Sequence, residues 1–179
     1  MSDVFTKSKR SEVMSRIRSR GNKDTELALA KFFRAHRITG WRRQTTLVVR
    51  SSRREEAQTE NRKSKIGNPK LIGASSPRLL RVKVDFVFRQ LRLALFVDGC
   101  FWHGCPKHET KPKNNRAFWH RKLSANKTRD RLVTRALRRA GWRVLRIWEH
   151  TLRRATNDKQ NEARLVKRIQ RVLCVTSDE

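Results

Sequence analysis

The chain has 179 residues and carries 45 Lys and Arg against 16 Asp and Glu, a formal net charge of +29 at pH 7. Hydrophobic residues make up 36% and cluster in periodic blocks, enough for one modest core and too many for full disorder. The longest apolar run, Leu93 to Val97, falls far short of the ~20 residues that span a bilayer, so a transmembrane protein is excluded.

The expectation is a single α/β domain over 1–179. No N-terminal apolar segment resembles a signal peptide, which points to a soluble cytoplasmic protein. The charge demands a polyanion, and nucleic acid is the commonest, bound by sequence-independent phosphate contacts from Lys and Arg.

Residues 1–20 are polar and basic, with Val13 and Ile17 one helical turn apart, and predict a short amphipathic helix. Asn22 or Asp24 is placed to cap a second helix, with Glu26 in its first turn, where a negative charge suits the dipole. Leu29, Phe32, Phe33 and His36 line one face of that helix, and Gly40 ends it. Trp41 to Val49 reads as a strand. Residues 50–78 are rich in Ser, Arg, Lys, Glu and Asn without periodicity and read as a flexible insertion, longer than ordinary connections within a domain.

Leu80, Val82, Val84, Phe86 and Phe88 alternate with Arg81, Lys83 and Asp85, a strand signal. Leu91 to Val97 predicts a second strand buried on both faces. Residues 114–124 predict a short helix bearing Phe118 and Trp119, and Leu132, Val133, Ala136, Leu137 and Ala140 mark another, closed by Gly141. Trp142 to Trp148 reads as a strand reached by a crossover, giving a mixed sheet flanked by helices. Leu165, Val166, Ile169, Val172 and Leu173 mark a C-terminal helix. Trp41, Trp142 and Trp148 are assigned to the core.

Cys100, Cys105 and His108 lie in one loop with C-x4-C-x2-H spacing. Thiolate and imidazole ligands favour zinc, and tetrahedral closure wants a fourth ligand. His150 and Cys174 are the candidates, with His36 and His120 behind them, although Cys174 sits on the apolar side of its helix and looks like core. A closed site of four protein ligands is structural and would staple the loop holding Phe101, Trp102 and His103.

Asp85 lies mid-strand among apolar neighbours, where an unpaired carboxylate needs a cation, and Asp98 ends the following strand. Two such carboxylates on adjacent strands can hold Mg²⁺, a hard ion that prefers oxygen. His103 is a candidate to take a proton from an attacking water, because imidazole is the side chain whose unperturbed form changes charge near neutral pH. The alternative is that Asp85 pairs with a nearby Arg and Asp98 caps a turn. Phe101 and Trp102, with Trp119 and Met14, are candidates to stack on bases or wedge between base steps.

The block Phe96-Val97-Asp98-Gly99-Cys100-Phe101-Trp102-His103-Gly104-Cys105, followed by Phe118-Trp119 and Gly141-Trp142-Arg143-Val144-Leu145, resembles the very-short-patch repair DNA mismatch endonucleases. Arg10-Ser11 to Ile17 and Asp24 to Leu27 share the resemblance, which covers most of the chain except 48–80 and the last dozen residues. It implies a restriction-endonuclease-like fold with a structural zinc, and Mg²⁺-dependent nicking of double-stranded DNA next to the T of a T:G mismatch left by deaminated 5-methylcytosine. It implies that Asp85 and the Val97 carbonyl bind Mg²⁺, that His103 activates water, and that Glu26 stands close to the active site. Cys100, Cys105, His108 and His150 then fall at or near the zinc ligands. Phe101, Trp102 and Trp119 insert at the mismatch from one groove and Met14 from the other, so 1–20 becomes a DNA-contacting arm. The implied setting is a nucleoid-associated monomer, with mismatch-repair proteins as candidate partners and no membrane.

Two departures stand out. Asp98 occupies the position of a second active-site His in the best-known members, so it binds metal or orients His103 or a water. Val84 replaces the usual Pro before Asp85, and 50–78 replaces a tight loop. Alternative functions are a related nuclease of a restriction–modification system and a non-catalytic zinc-containing DNA-binding protein.

Overall fold

The computed structural model describes residues 12, 23–50, 79–108, 112 and 115–174. The predicted first helix, with Met14, and all but the first residue of the 50–78 insertion lie outside the described residues.

A π-helical turn, Lys23–Leu27, runs directly into helix α1, Ala28–Ala35. Strands β1, Trp41–Arg50, β2, Leu79–Phe88, and β3, Leu93–Asp98, follow. Helix α2, Arg116–Arg139, leads to strand β4, Arg143–Trp148, and then to helices α3, Glu149–Asn157, and α4, Lys159–Leu173. The four strands form one mixed sheet in the order β1-β2-β3-β4. The first two pairings are antiparallel; β3 and β4 are parallel, joined by α2 as the crossover. No described helix is long and apolar enough to cross a membrane.

Both faces of the sheet are covered. On one face Leu29, Phe32 and Phe33 of α1 pack with Phe86, Phe88, Leu95, Ile147 and the apolar sides of α3 and α4. On the other, Ala136 and Leu137 of α2 pack on Leu47, Val49, Val82, Val84, Ala94 and Phe96. β3 is buried at every position, as its unbroken apolar run predicts. Trp41, Trp142 and Trp148 are only half-buried; Trp41 packs against the first core and Trp142, just before β4, against the second.

Several boundaries move. Leu91 and Arg92 belong to the β2–β3 turn, so β3 starts at Leu93. The two helices expected within 114–140 are one helix. Its middle carries no apolar stripe because Asn126 and Asp130 are spent on polar contacts described below. Gly141, at φ +77, ends α2 in the left-handed region, and Arg92 donates to the Ala140 carbonyl at 2.7 Å. The segment after β4 holds the further helix α3. Asp158 then caps α4 by accepting from the backbone N–H groups of Gln160 and Asn161.

The main surprise lies in β1 and β2. Val82, Val84, Phe86 and Phe88 read as one strand face, yet Val82 and Val84 pack on the α2 side and Phe86 and Phe88 on the α1 side. β1 does the same: Trp41 packs on the α1 side, Leu47 and Val49 on the α2 side. Side chains alternate with a period of two, so a change of face requires a residue to leave the extended region. Gln44, at φ +52, is that residue. Arg43 pairs with Phe86 and Thr45 with Val84, but the intervening step, Gln44 opposite Asp85, is missing from the ladder.

Phe33 is fully buried, with ring contacts to Trp41, Phe86 and Phe88. Truncation to Ala should therefore cost about 3–5 kcal/mol in urea unfolding. Phe118→Ala, at a residue 51% exposed, should stay within about 0.5 kcal/mol of the unmodified protein. Equal effects at the two positions would contradict this core.

Candidate active site and metal centre

Asp85 sits at the point where β1 and β2 change face. One carboxylate oxygen accepts from the Val97 N–H of β3 at 2.9 Å. No Arg or Lys pairs with it among the described residues; the basic stretches 1–11, 13–22 and 51–78 lie outside them. Burial pushes its pKa up to about 6; the Val97 N–H works against this, and the charges of Glu26 and Asp98 add to it.

Glu26 lies in the π-helical turn and is only 7% exposed. Arg43 donates to its Oε2 at 3.5 Å, and Gln44 Nε2 donates to the same oxygen.

Asp98 is 4% exposed and takes a bidentate hydrogen bond from Arg146, with both contacts at 2.6 Å. Arg146 also reaches Asp130 Oδ1 at 3.1 Å and lies over the Phe96 ring. Burial disfavours this cation, but Asp98 and Asp130 more than restore it and raise its pKa. Asp130 in turn accepts from His103 Nδ1 at 2.6 Å. Burial would raise the Asp130 carboxyl; the His103 hydrogen bond and then the Arg146 charge bring it below its ordinary value. With Nδ1 engaged by Asp130, Nε2 is the ring nitrogen left to accept a proton. Asp98 itself stands 3.7 Å from His103 Nδ1, so it acts on His103 mainly through the shared arginine.

The loop carrying His103 is fastened from two helices. Glu149 of α3 accepts from the Cys100 N–H at 3.0 Å, and Asn126 of α2 donates to the Trp102 carbonyl at 2.9 Å. Within the loop, the Cys105 N–H returns to the Cys100 carbonyl at 2.9 Å.

Beneath it, Cys100, Cys105, His108 and His150 converge, with all four ligand atoms within 4.8 Å of one another. His150 Nδ1 lies 3.2 Å from Cys100 Sγ and 3.5 Å from Cys105 Sγ, and His108 Nδ1 lies 3.7 Å from Cys105 Sγ. A tetrahedral ion with bonds of about 2.0–2.3 Å holds its ligands at roughly these separations. Cys174 is exposed at the end of α4 and not core, and it is not among the four. It ends the helix outside the apolar side because α4 buries only Leu165 and Ile169 there.

Phe101, Trp102 and Trp119 form one cluster, with ring centroids 5.1–6.0 Å apart. Phe118 extends it at 5.3 Å from Trp119. The structure thus brings Asp85, Val97, Asp98 and His103 together at the C-terminal end of β3, with Phe101 and Trp102 in the loop that follows.

Sequence reasoning missed Asp130, Arg146, Gln44 and Asn126. Two carried a signal. Asp130 is the lone acid between 116 and 140, and Arg146 interrupts an apolar strand, where a cation needs anions.

The family model described as DNA mismatch endonuclease Vsr matches residues 77–110. The chain is 52% identical over 71 residues to the type II nicking enzyme V.NaeI of Lentzea aerocolonigenes, a match spanning 40% of this chain and 43% of that one. It is 30% identical over 171 residues to the type II nicking enzyme V.NmeAIP of Neisseria meningitidis serogroup A, spanning 94% and 97% of the two chains. It is 36% identical over 91 residues to the DNA mismatch endonuclease Vsr of Escherichia coli K12, spanning 50% and 57%. The matched stretch thus covers about half of V.NaeI and of the E. coli enzyme, and nearly all of V.NmeAIP.

The raised carboxyl of Asp85 has a consequence for stability. A folded-state pKa of about 6 against 3.8 unfolded makes its contribution fully favourable below pH 3.8 and lost as pH rises through 6. In a chelating buffer Asp85→Asn should therefore stabilise the fold at pH 7.5 by about 2 kcal/mol and confer no advantage near pH 4. Urea unfolding at the two pH values measures the difference; an unchanged midpoint at pH 7.5 would refute the burial argument.

Proposed function

The chain belongs to the Vsr family of DNA endonucleases, and on that premise we propose that it nicks one strand of double-stranded DNA next to the T of a T:G mismatch, by Mg²⁺-dependent phosphodiester hydrolysis. The observation that carries the reading is the juxtaposition of Asp85, without a basic partner among the described residues, with His103, which Asp130 holds through Nδ1.

The donor set fits a hard divalent cation. Asp85 and Glu26 supply carboxylate oxygens, the Val97 carbonyl is adjacent, and Gln44 Oε1 is a buried amide oxygen with no partner among the described residues. When bound, Mg²⁺ supplies Lewis acidity at the scissile phosphate. His103 accepts a proton from the attacking water at Nε2, and Asp130 keeps the ring in the required tautomer and stabilises the imidazolium. Arg146 fixes Asp130 from behind, and Asp98 neutralises Arg146, so in this reading Asp98 is a positioning residue.

Phe101, Trp102 and Trp119 form an aromatic platform beside this centre, suited to entering a duplex at a weakened step. A T:G wobble unstacks more cheaply than a Watson–Crick pair, so the wedge gains selectivity from deformation energy. Met14 is assigned to the opposite groove by family resemblance alone. Arg131, Arg135 and Arg138 line one edge of α2 with Thr134 and lead away from Asp130, where backbone phosphates would run. Cys100, Cys105, His108 and His150 are assigned to a closed structural zinc site that fixes the His103 loop. The proposed setting is nucleoid DNA in the cytoplasm, with the chain acting as a monomer, alone or beside mismatch-repair proteins.

A second reading has support of its own, because relatives such as V.NaeI and V.NmeAIP are type II nicking enzymes. The same centre would then act in a restriction–modification setting with a different sequence context.

Strand-specific labelling of T:G and matched duplexes, with and without Mg²⁺, tests the proposal. Cutting should be confined to the T strand of the mismatched duplex, need Mg²⁺, and vanish in Asp85→Asn while binding persists. Equal cutting of matched and mismatched duplexes would reject the mismatch reading, and absence of cutting on every duplex would reject the enzyme reading. The zinc assignment predicts about one zinc per chain, kept in Cys174→Ala and lost in Cys105→Ser; elemental analysis of the purified variants decides it.

A further inference from the structure

Four observations converge on Gln44. It adopts φ +52 in the middle of a strand. It lies across from Asp85 at the one step where the β1–β2 ladder is interrupted. Its side-chain nitrogen donates to Glu26 Oε2, the oxygen that Arg43 also reaches. Its side-chain oxygen is buried without a partner among the described residues.

These facts have one geometric cause. In an extended strand, residues 43 and 44 point to opposite faces. The left-handed turn at Gln44 cancels that alternation, so two consecutive side chains converge on one carboxylate oxygen. The same turn lets β1 and β2 change face at Asp85, as the packing of Trp41 against that of Leu47 and Val49 records.

The residue type is informative. A single left-handed residue costs an L-amino acid roughly 1–2 kcal/mol, and Gly or Asn are the usual solutions. A backbone twist alone would be served by either. Keeping Gln accepts that cost and adds a buried, unsatisfied amide oxygen. Both are offset if the amide works at the carboxylate pair: the NH₂ group orienting Glu26, the oxygen accepting from a water of a bound cation.

We propose that Gln44 is a positioning residue of the divalent-cation site, holding Glu26 toward the cation shared with Asp85 and accepting a hydrogen bond from the cation's hydration shell. This rests on the proposal that Asp85 and Glu26 bind a divalent cation. It assigns Gln44 no proton transfer and no contact with the scissile phosphate.

The test uses Gln44→Gly, which retains the left-handed backbone and deletes the amide, and Gln44→Asn, which tolerates the same backbone and keeps a shorter amide. Mn²⁺ binding to the full chain without DNA is followed by calorimetry, beside the urea unfolding midpoint in chelator and the Mg²⁺ concentration that half-saturates nicking. Gln44→Gly should weaken Mn²⁺ binding by about tenfold or more and raise the Mg²⁺ requirement in parallel, with an unfolding midpoint no lower than that of the unmodified chain. Gln44→Asn should fall between the two. Unchanged Mn²⁺ affinity in Gln44→Gly, with the unmodified chain binding Mn²⁺ and nicking DNA, overturns the role of Gln44 alone. A lowered unfolding midpoint with unchanged Mn²⁺ affinity assigns Gln44 to the fold and overturns it equally. Failure of the unmodified chain to bind Mn²⁺ or to nick overturns the cation site itself and this inference with it.

Discussion

Asp85 is a carboxylate placed inside a sheet with no cationic side chain paired to it among the described residues. An ionised group there is costly, and the surrounding structure does not reduce the cost: Glu26 and Asp98 add negative charge, and only the Val97 N–H and the charge of His103 relieve it. A fold selected for stability alone would have placed an apolar side chain or an arginine at this position. The chain has 45 basic residues from which to draw such a partner.

Arg146 is half-buried beside two anions, and its donors are committed to Asp98 and Asp130. Asp98 thus holds the arginine, and Asp130, paired with the same arginine, holds His103. Where the best-known family members have a second histidine, this chain has half of an ion pair, and the other half comes from β4.

The sheet supports the arrangement mechanically. The left-handed Gln44 turns β1 and β2 over at Asp85, so the outer halves of these strands rest on α2 and the inner halves on α1. Asp85 therefore sits on the axis of a twist that is packed from both sides. The aromatic loop is fastened independently, by Glu149, Asn126 and the convergence of Cys100, Cys105, His108 and His150.

The sequence by itself determined the elements whose residues face the core. The periods of β2, β3, β4, α1 and α4 are visible because burial repeats with the geometry of the element, and the mixed sheet follows from their order. It also exposed Asp85, as a charge among apolar neighbours, and the Cys/His loop, through its spacing. Tertiary structure alone decided what depends on residues distant in the chain. It extended α2 through a polar middle, whose Asn126 and Asp130 serve the loop rather than the core. It chose His150 over Cys174, because β4 delivers His150 beside the loop while α4 ends with Cys174 in solvent. It also split the β2 alternation at Asp85, since a backbone that leaves the extended region at Gln44 leaves the hydrophobic pattern of the strand unchanged. Pattern records which residues are buried, and pairing across the sheet decides against what.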